Sequence, residues 1–320
     1  MNEHGNIRRV DIVATFACIG VLSCWTVGPI SIKYLSSYID SWTQNLLRYS
    51  VGCLFWLPFL AINIKRKRID SKLWRKALLP AAANVTMQSL WAAGFYYVGP
   101  AFMALLAKSS VIWIAGFSLI FFADERGLVK SKRFWLGLMF SVIGVVGVIY
   151  YKQDFAASGT MAGIVIALAC AFMWAVYTLS VRIAFRDTDS RSGFSVISIY
   201  TVAGLLVLGI SFGQLGQCVT MVPKGWAVVV ISAVIAIALG HVLYYTAMKR
   251  IGATIPSLVI LAQPFSVLAI SNVIFDESLN AIQLLFGVVL LAGSALSIWA
   301  QQHLRRARPV LRSTAGTEDG

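Results

Sequence analysis

The chain has 320 residues, 58% of them hydrophobic and only 12% charged, with 27 lysines and arginines against 13 carboxylates for a net charge of +14; its mean hydropathy is +0.77. That composition excludes a soluble domain and describes a helical membrane protein, whose peptide groups must be paired inside each span. The positive charge does not indicate nucleic-acid binding, because the basic residues fill short gaps between apolar stretches rather than one face of a domain.

A hydrocarbon core of about 30 Å needs spans of about twenty residues. Ten are predicted, at 11–32, 42–62, 76–97, 100–122, 134–151, 160–182, 194–213, 225–247, 253–275 and 280–302. Arg8-Arg9 before span 1 imitate a signal peptide, but the apolar run continues past Ile30 and no small-residue cleavage site ends it early. It is read as a retained helix. Connections are short, so no soluble domain is inserted. The stretch 303–320, rich in Arg, Pro, Ser, Thr and Gly, is predicted to be a disordered tail. Cys18, Cys24, Cys53, Cys170 and Cys218 have no metal-ligand spacing and are read as small apolar side chains. No cofactor or metal is predicted.

Lysine and arginine set the orientation. With residues 1–10 in the cytoplasm, the cytoplasmic gaps receive Arg8-Arg9, Lys65 to Lys76, Arg126 to Arg133, Arg182 to Arg191, Lys249-Arg250 and Arg305 to Arg312. The outer gaps receive only Lys33, Lys152 and Lys224, and Arg48 and Lys108 stay within spans. That asymmetry predicts both termini in the cytoplasm and ten crossings.

The landmarks repeat. Trp25 and Lys33 precede Trp174 and Arg182 by 149 residues, and Gly99-Pro100-Ala101 precedes Gly252-Ala253-Thr254 by 153. Asp124-Glu125 precedes Asp276-Glu277 by 152, and Gly137 precedes Gly287 by 150. The expected fold is an all-α membrane protein of ten transmembrane helices in two repeats, 11–151 and 160–302. Five helices per repeat is an odd number, so the two must be inverted, an arrangement that places a transport site near the midplane between them.

These residues resemble the EamA-type branch of the drug/metabolite transporter superfamily. The likeness rests on Cys24-Trp25-Thr26 and Met173-Trp174-Ala175, and on Leu46-Leu47-Arg48-Tyr49. It extends to the paired Gly99 and Gly252 motifs, Gln263-Pro264-Phe265, the acidic turns and the glycine-spaced spans 5 and 10. It covers nearly the whole chain. One departure is Val111, where the repeat and the family pattern favour proline, as at Pro264; a pliable point in span 4 is thereby put in question. The resemblance implies alternating-access transport, often efflux of amino acids or other small metabolites from the cytoplasm across a bacterial inner membrane.

Lys108 is the principal candidate. It stands about 12 Å into span 4 at 1.5 Å per residue, where a charge costs about 2.5–3.5 kcal/mol on insertion scales. It is read as a counter-charge for a carboxylate or phosphate, against the alternative of a lysine bonded to carbonyls at a helix break or snorkelling outward. Its repeat equivalent is Leu261, so the scaffold repeats and the lysine does not. Arg48, nearer the outer end, is read either as structural or as a gating contact. In span 3, Asn84, Gln88, Trp91 and Phe95 share one face. Gln88 maps to His241 and Trp91 to Tyr244 by the repeat step, and Ser110 maps to Gln263. These polar positions suit a central cavity, against plain interhelical bonding; His241 also suits proton coupling. Trp25, Trp174 and Tyr177 line a path or pack. The acidic turns are read as helix-start caps, and Gly137, Gly144, Gly147, Gly287 and Gly293 as close helix contacts within the chain.

No carboxylate lies deep in a span, which disfavours a purely cationic drug. The expected substrate is an anionic or zwitterionic small molecule such as an amino acid, with a phosphorylated or lipid-linked anion as the alternative. An intramembrane enzyme would need a nucleophile, a carboxylate pair or metal ligands on facing helices, and His4, His241 and His303 offer little toward one. A receptor is disfavoured by the inverted repeat.

Overall fold

The computed structural model describes residues 11–121, 123–152, 158–185, 188–251 and 254–314. The helices are α1 Ile12–Leu35, α2 Ser41–Lys65, α3 Ser71–Gly94, α4 Pro100–Ala107, α5 Ser110–Phe121, α6 Lys132–Tyr150 and α7 Ser158–Ala184. They continue with α8 Ser190–Phe212, the single turn α9 Gln217–Thr220, α10 Pro223–Ser232, α11 Gly240–Ile251, α12 Thr254–Ile260, α13 Gln263–Phe275 and α14 Ala281–Thr314. A 3₁₀ segment, Ala123–Lys130, follows α5, and a π-helical segment, Ala233–Leu239, joins α10 to α11. Among the described residues nine stretches are long and apolar enough to cross a membrane. The 24-residue α3 falls outside that set, because it opens on Ser71-Lys72 and carries Arg75, Lys76, Asn84 and Gln88.

Many of the polar residues confined to span ends start helices. Asp11 accepts from Ala14 N at 3.0 Å, Asp40 from Trp42 N at 2.9 Å, and Asp70 from Lys72 N at 2.9 Å. Asn280 and Gln283 form a reciprocal capping box at α14, with bonds of 2.7 and 3.2 Å. A cap satisfies N–H groups that have no helical partner.

The two repeats interlock. α1 packs on α11 and α3 on α7; α2 packs on α8, α4 on α13 and α6 on α14. The first two contacts exchange under the repeat, and the α2–α8 and α6–α14 contacts map onto themselves, as a two-fold requires; α4–α13 maps onto α5–α12, the other halves of the same two spans. The pairing of α6 with α14 is close: Gly137 lies against Gly293 and Ser297, and Ser141 Oγ stands 3.3 Å from its equivalent Ser294 Oγ. The glycine-spaced spans therefore meet each other within the chain. All five cysteines are free thiols.

The contacts at the two ends alternate. At the end where α1 begins, the near end, Arg250 meets Asp11 at 2.9 Å, Arg191 stands over Phe59, and Arg133 over Trp299. At the far end Lys33 Nζ donates to Phe95 O at 2.9 Å, Asn280 Nδ2 donates to Tyr151 O at 2.8 Å, and Lys224 stands over Tyr34. The first repeat thus begins at the near end and finishes at the far end; the second runs back. The repeats are inverted.

Two expectations need correction. Span 4 is not continuous: α4 ends at Ala107 and α5 starts at Ser110. The break falls at Lys108-Ser109, 153 residues before the equivalent break at Leu261-Ala262, although Val111 replaces proline. The chain continues with 3₁₀-type bonds, Ser109 N to Leu106 O at 2.9 Å and Val111 N to Lys108 O at 3.2 Å. Stretch 303–314 is not a disordered tail, because α14 runs to Thr314. Gln301, Gln302, Leu304, Arg305, Arg306 and Ala307 are strong helix formers that prolong a helix already nucleated. Residues 1–10, 315–320, Gly252-Ala253 and the Asp124-Glu125 side chains lie outside the described residues.

Candidate functional site

A cavity of about 590 Å³ lies between the repeats, within the range of small-molecule sites. It is lined by Trp25, Arg48, Gln88, Trp91, Lys108, Ser110, Trp174, Tyr177, His241, Tyr244 and Gln263. Eleven of the twelve candidate residues are therefore gathered in one place. The exception is Asn84, which is buried and donates from Nδ2 to Thr201 Oγ1 at 3.0 Å. That bond ties α3 to α8 and is the interhelical role weighed against a cavity role.

The cavity runs from the two helix breaks toward the near end, where Arg182, Phe185, Thr188 and Gly193 line it. The far end is shut by bonds between the repeats. Ala101 N and Phe102 N donate to the Glu277 carboxylate at 2.9 and 3.1 Å, so the second acidic turn caps α4 of the opposite repeat. Gly99 leaves room for this cap, since a Cβ there would displace the Glu277 carboxylate. Asp40 accepts from Gln214 N at 2.8 Å, and its own N–H donates to Gln217 Oε1 at 2.7 Å. Burial raises the Asp40 carboxyl, but the Thr43 hydroxyl and the N–H groups of Gln214, Thr43 and Trp42 outweigh that and hold it below the ordinary carboxylate value.

Lys108 is the C-cap of α4, and its Nζ donates to Gln263 Oε1 at 2.8 Å. Gln263 is the first residue of α13, just past the other break. The two breaks are bridged by this one bond. Gln263 Nε2 donates in turn to Trp25 O at 2.6 Å. That carbonyl is free because Pro29, four residues on within α1, has no N–H to give it. Lys108 is therefore held inward, by a side-chain amide oxygen at the opposite break. Arg48 is 3% exposed and donates from Nε to Ser232 Oγ at 2.9 Å. Among the described residues no carboxylate belongs to the lining.

Aromatic rings also line the cavity. Trp25 meets its equivalent Trp174 edge-on at 6.0 Å, Tyr244 at 5.0 Å and His241 at 5.5 Å. The approach of Trp25 to α11 needs Gly240, where a Cβ would sit 2.6 Å from the indole nitrogen. His241 stacks on Phe194 at 4.8 Å, and its Nδ1 lies 2.8 Å from Ile237 O in the π-helical segment. That bond places the ring proton on Nδ1 and leaves Nε2 as the acceptor. π-Helical turns leave the regular bonding register and concentrate at functional sites. Sequence reasoning missed Pro29, Tyr49 and Tyr245, all of which line the cavity. Pro29 was detectable as a proline four residues after Trp25, and Tyr49 as the neighbour of Arg48.

The comparisons agree with this architecture. The sequence matches the EamA-like transporter family twice, over residues 12–150 and 161–299. The chain belongs to that family. The two matched segments coincide with the inverted repeats on either side of the cavity. An uncharacterized transporter of Haemophilus influenzae is 24% identical over 205 residues, 61% of this chain and 63% of that protein. An uncharacterized transporter of Acidianus ambivalens is 26% identical over 164 residues, 50% of this chain and 56% of that one. The chain thus matches about three fifths of the length of these curated relatives. One protein crystal structure aligns with a TM-score of 0.62 at 16% identity, covering 89% of this chain and 95% of the other, which is a likeness of fold.

Proposed function

We propose that this member of the EamA-like family is a secondary transporter of the bacterial inner membrane that exports amino acids or related small carboxylated metabolites by alternating access. The observation that carries this is the cavity between the inverted repeats, with Lys108 and Arg48 in its wall and, among the described residues, no carboxylate in the lining. An anion entering it passes Arg182 at the near end and meets Lys108 and Arg48 in a setting of low dielectric, where opposite charges attract strongly. A purely cationic solute would meet only repulsion, apart from the aromatic faces.

In this reading α3 makes the tenth crossing, its polar start lying at the basic near surface. The basic gaps place the near end, and both termini, in the cytoplasm. The cavity then faces the cytoplasm, and the far-end bonds of Glu277 and Asp40 close the outer side. Export requires these bonds to open while the near end closes.

The test is flux in proteoliposomes. Radiolabelled amino acids are compared with matched carboxylates lacking the amine and matched amines lacking the carboxylate. Carriage of the carboxylated compounds, lost in Lys108→Met, is the expected result. Carriage restricted to the amines, or undiminished flux in Lys108→Met, overturns the reading.

A further inference from the structure

The bridge between the two helix breaks is built from unlike parts, and each part explains the next. Pro29 lies inside α1 and lacks an N–H, so the carbonyl of residue 25 loses its i+4 helical donor. An unpaired carbonyl is costly in an apolar interior. Gln263 Nε2 supplies the missing donor at 2.6 Å. A side-chain amide has one donor end and one acceptor end. Holding the donor end against Trp25 O turns Oε1 the other way, toward Lys108 Nζ at 2.8 Å. A flipped amide would set oxygen against oxygen at one end and NH₂ against the ammonium at the other. The repeat equivalents break this chain of contacts. Ser110 stands in place of Gln263, and Thr178, which has an N–H, stands in place of Pro29.

We propose that Gln263 is the positioning residue for Lys108, oriented by the carbonyl that Pro29 frees, and that its amide oxygen is a neutral stand-in for the substrate's carboxylate. The inference rests on the transport reading, in which Lys108 meets that carboxylate. Gln263 Oε1 occupies one donor site of the ammonium. A carboxylate oxygen is the stronger acceptor for a cation and takes its place. The exchange releases the side-chain bond that joins the two breaks, so occupancy of the site is felt by both repeats. Gln263 must be neutral for this: it holds the lysine without neutralising it.

Two measurements test the proposal. The first needs no substrate. Reductive methylation of the purified protein with formaldehyde and cyanoborohydride is followed at Lys108 by peptide mass spectrometry, with exposed Lys130 as the internal reference. Gln263→Met, which keeps length and removes both polar atoms, is expected to raise the Lys108 rate about tenfold, the effect of releasing a charged hydrogen bond. Pro29→Ala touches neither partner but returns an N–H to Trp25 O. It is expected to raise the rate severalfold, and Pro80→Ala, in α3 and away from the cavity, to leave it unchanged. An unchanged Lys108 rate in Gln263→Met, or an equal response in Pro80→Ala, overturns the positioning role.

The second uses the carboxylated compound that the wild type moves fastest. Gln263→Met is expected to lower KM, because nothing must be displaced, and to lower the maximal rate, because the repeats are no longer bridged. A raised KM overturns the stand-in role. If none of the compounds is carried, the transport reading fails and the stand-in role with it, while the methylation rates still decide whether Gln263 positions Lys108.

Discussion

The two interrupted helices share a geometry and differ in chemistry. α4 and α5 break at Lys108-Ser109, α12 and α13 at Leu261-Ala262, in the same register. The second break is followed by Gln263-Pro264, the first by Ser110-Val111. A proline is therefore not what makes the break. Short 3₁₀-type bonds make it at both places, with Leu261 N bonded to Leu258 O at 3.2 Å and Lys108 N to Leu105 O at 3.1 Å. The break belongs to the shared scaffold, and the cation was placed on one copy only. The other copy contributes the acceptor that faces it.

Lys108→Leu makes the first break a copy of the second and should have the largest effect. Carboxylate flux in proteoliposomes should fall about a hundredfold, as expected when one partner of a buried charge interaction is truncated. Thermal stability should hold or rise, because a buried charge costs more to keep than an apolar side chain of similar size. A variant that loses stability in step with flux would show that Lys108 serves the fold.

Glu277→Gln tests the asymmetry at the start of α4. The glutamine keeps the shape but withdraws the negative charge from the helix N-terminus, worth up to about 2 kcal/mol in partly buried geometries. A cysteine at Trp91, in a background without other cysteines, reports the opening. Its labelling by an impermeant thiol reagent from the far side should rise about tenfold. Unchanged labelling would leave Glu277 as a cap with no part in closure.

Much of this was legible in the sequence because membranes tax polarity so heavily. An arginine, a lysine, a histidine, a serine and three amides inside apolar spans point to a protein interior, and all of these but Asn84 share the cavity, with the aromatic candidates found through the repeat and the helix face. Asn84 was misplaced because helical periodicity fixes a face and not its neighbour; Thr201 of the other repeat took its amide. The break in span 4 was not legible from Val111, since 3₁₀ bonding leaves no residue signature. Nor was the cap of α4 by Glu277, a contact between residues 176 apart that the acidic turn alone could not assign to a helix of the opposite repeat.

Asp40 gives a smaller test of the far end. Its carboxyl is held below the ordinary value, so its contribution is complete above about pH 4 and is lost as pH falls through the depressed value. Trp91 cysteine labelling from the far side, divided at each pH by the labelling of a free thiol under the same conditions, should thus be flat from pH 5 to pH 8. Asp40→Ala, which removes the cap of α2 and the bond to Gln214 N, should cost about 1 kcal/mol in thermal unfolding. A far end that loosens between pH 6 and 8 would point to a different closing group.

Val111→Pro should have the least effect, and that is its value. It inserts at the first break the proline found at the second. The residue removed donates only the 3.2 Å bond to Lys108 O, at the second position of α5, where a helix needs no N–H of its own. The cost in unfolding should stay under about 1 kcal/mol, against about 3 kcal/mol for proline in a helix interior. Flux should fall by less than about twofold, since the main-chain path through Lys108 and Ser109 is already the one that proline permits. A severe loss would mean that the Val111–Lys108 bond holds the lysine's backbone at an angle proline cannot reproduce, and that the two breaks, alike in register, differ in direction.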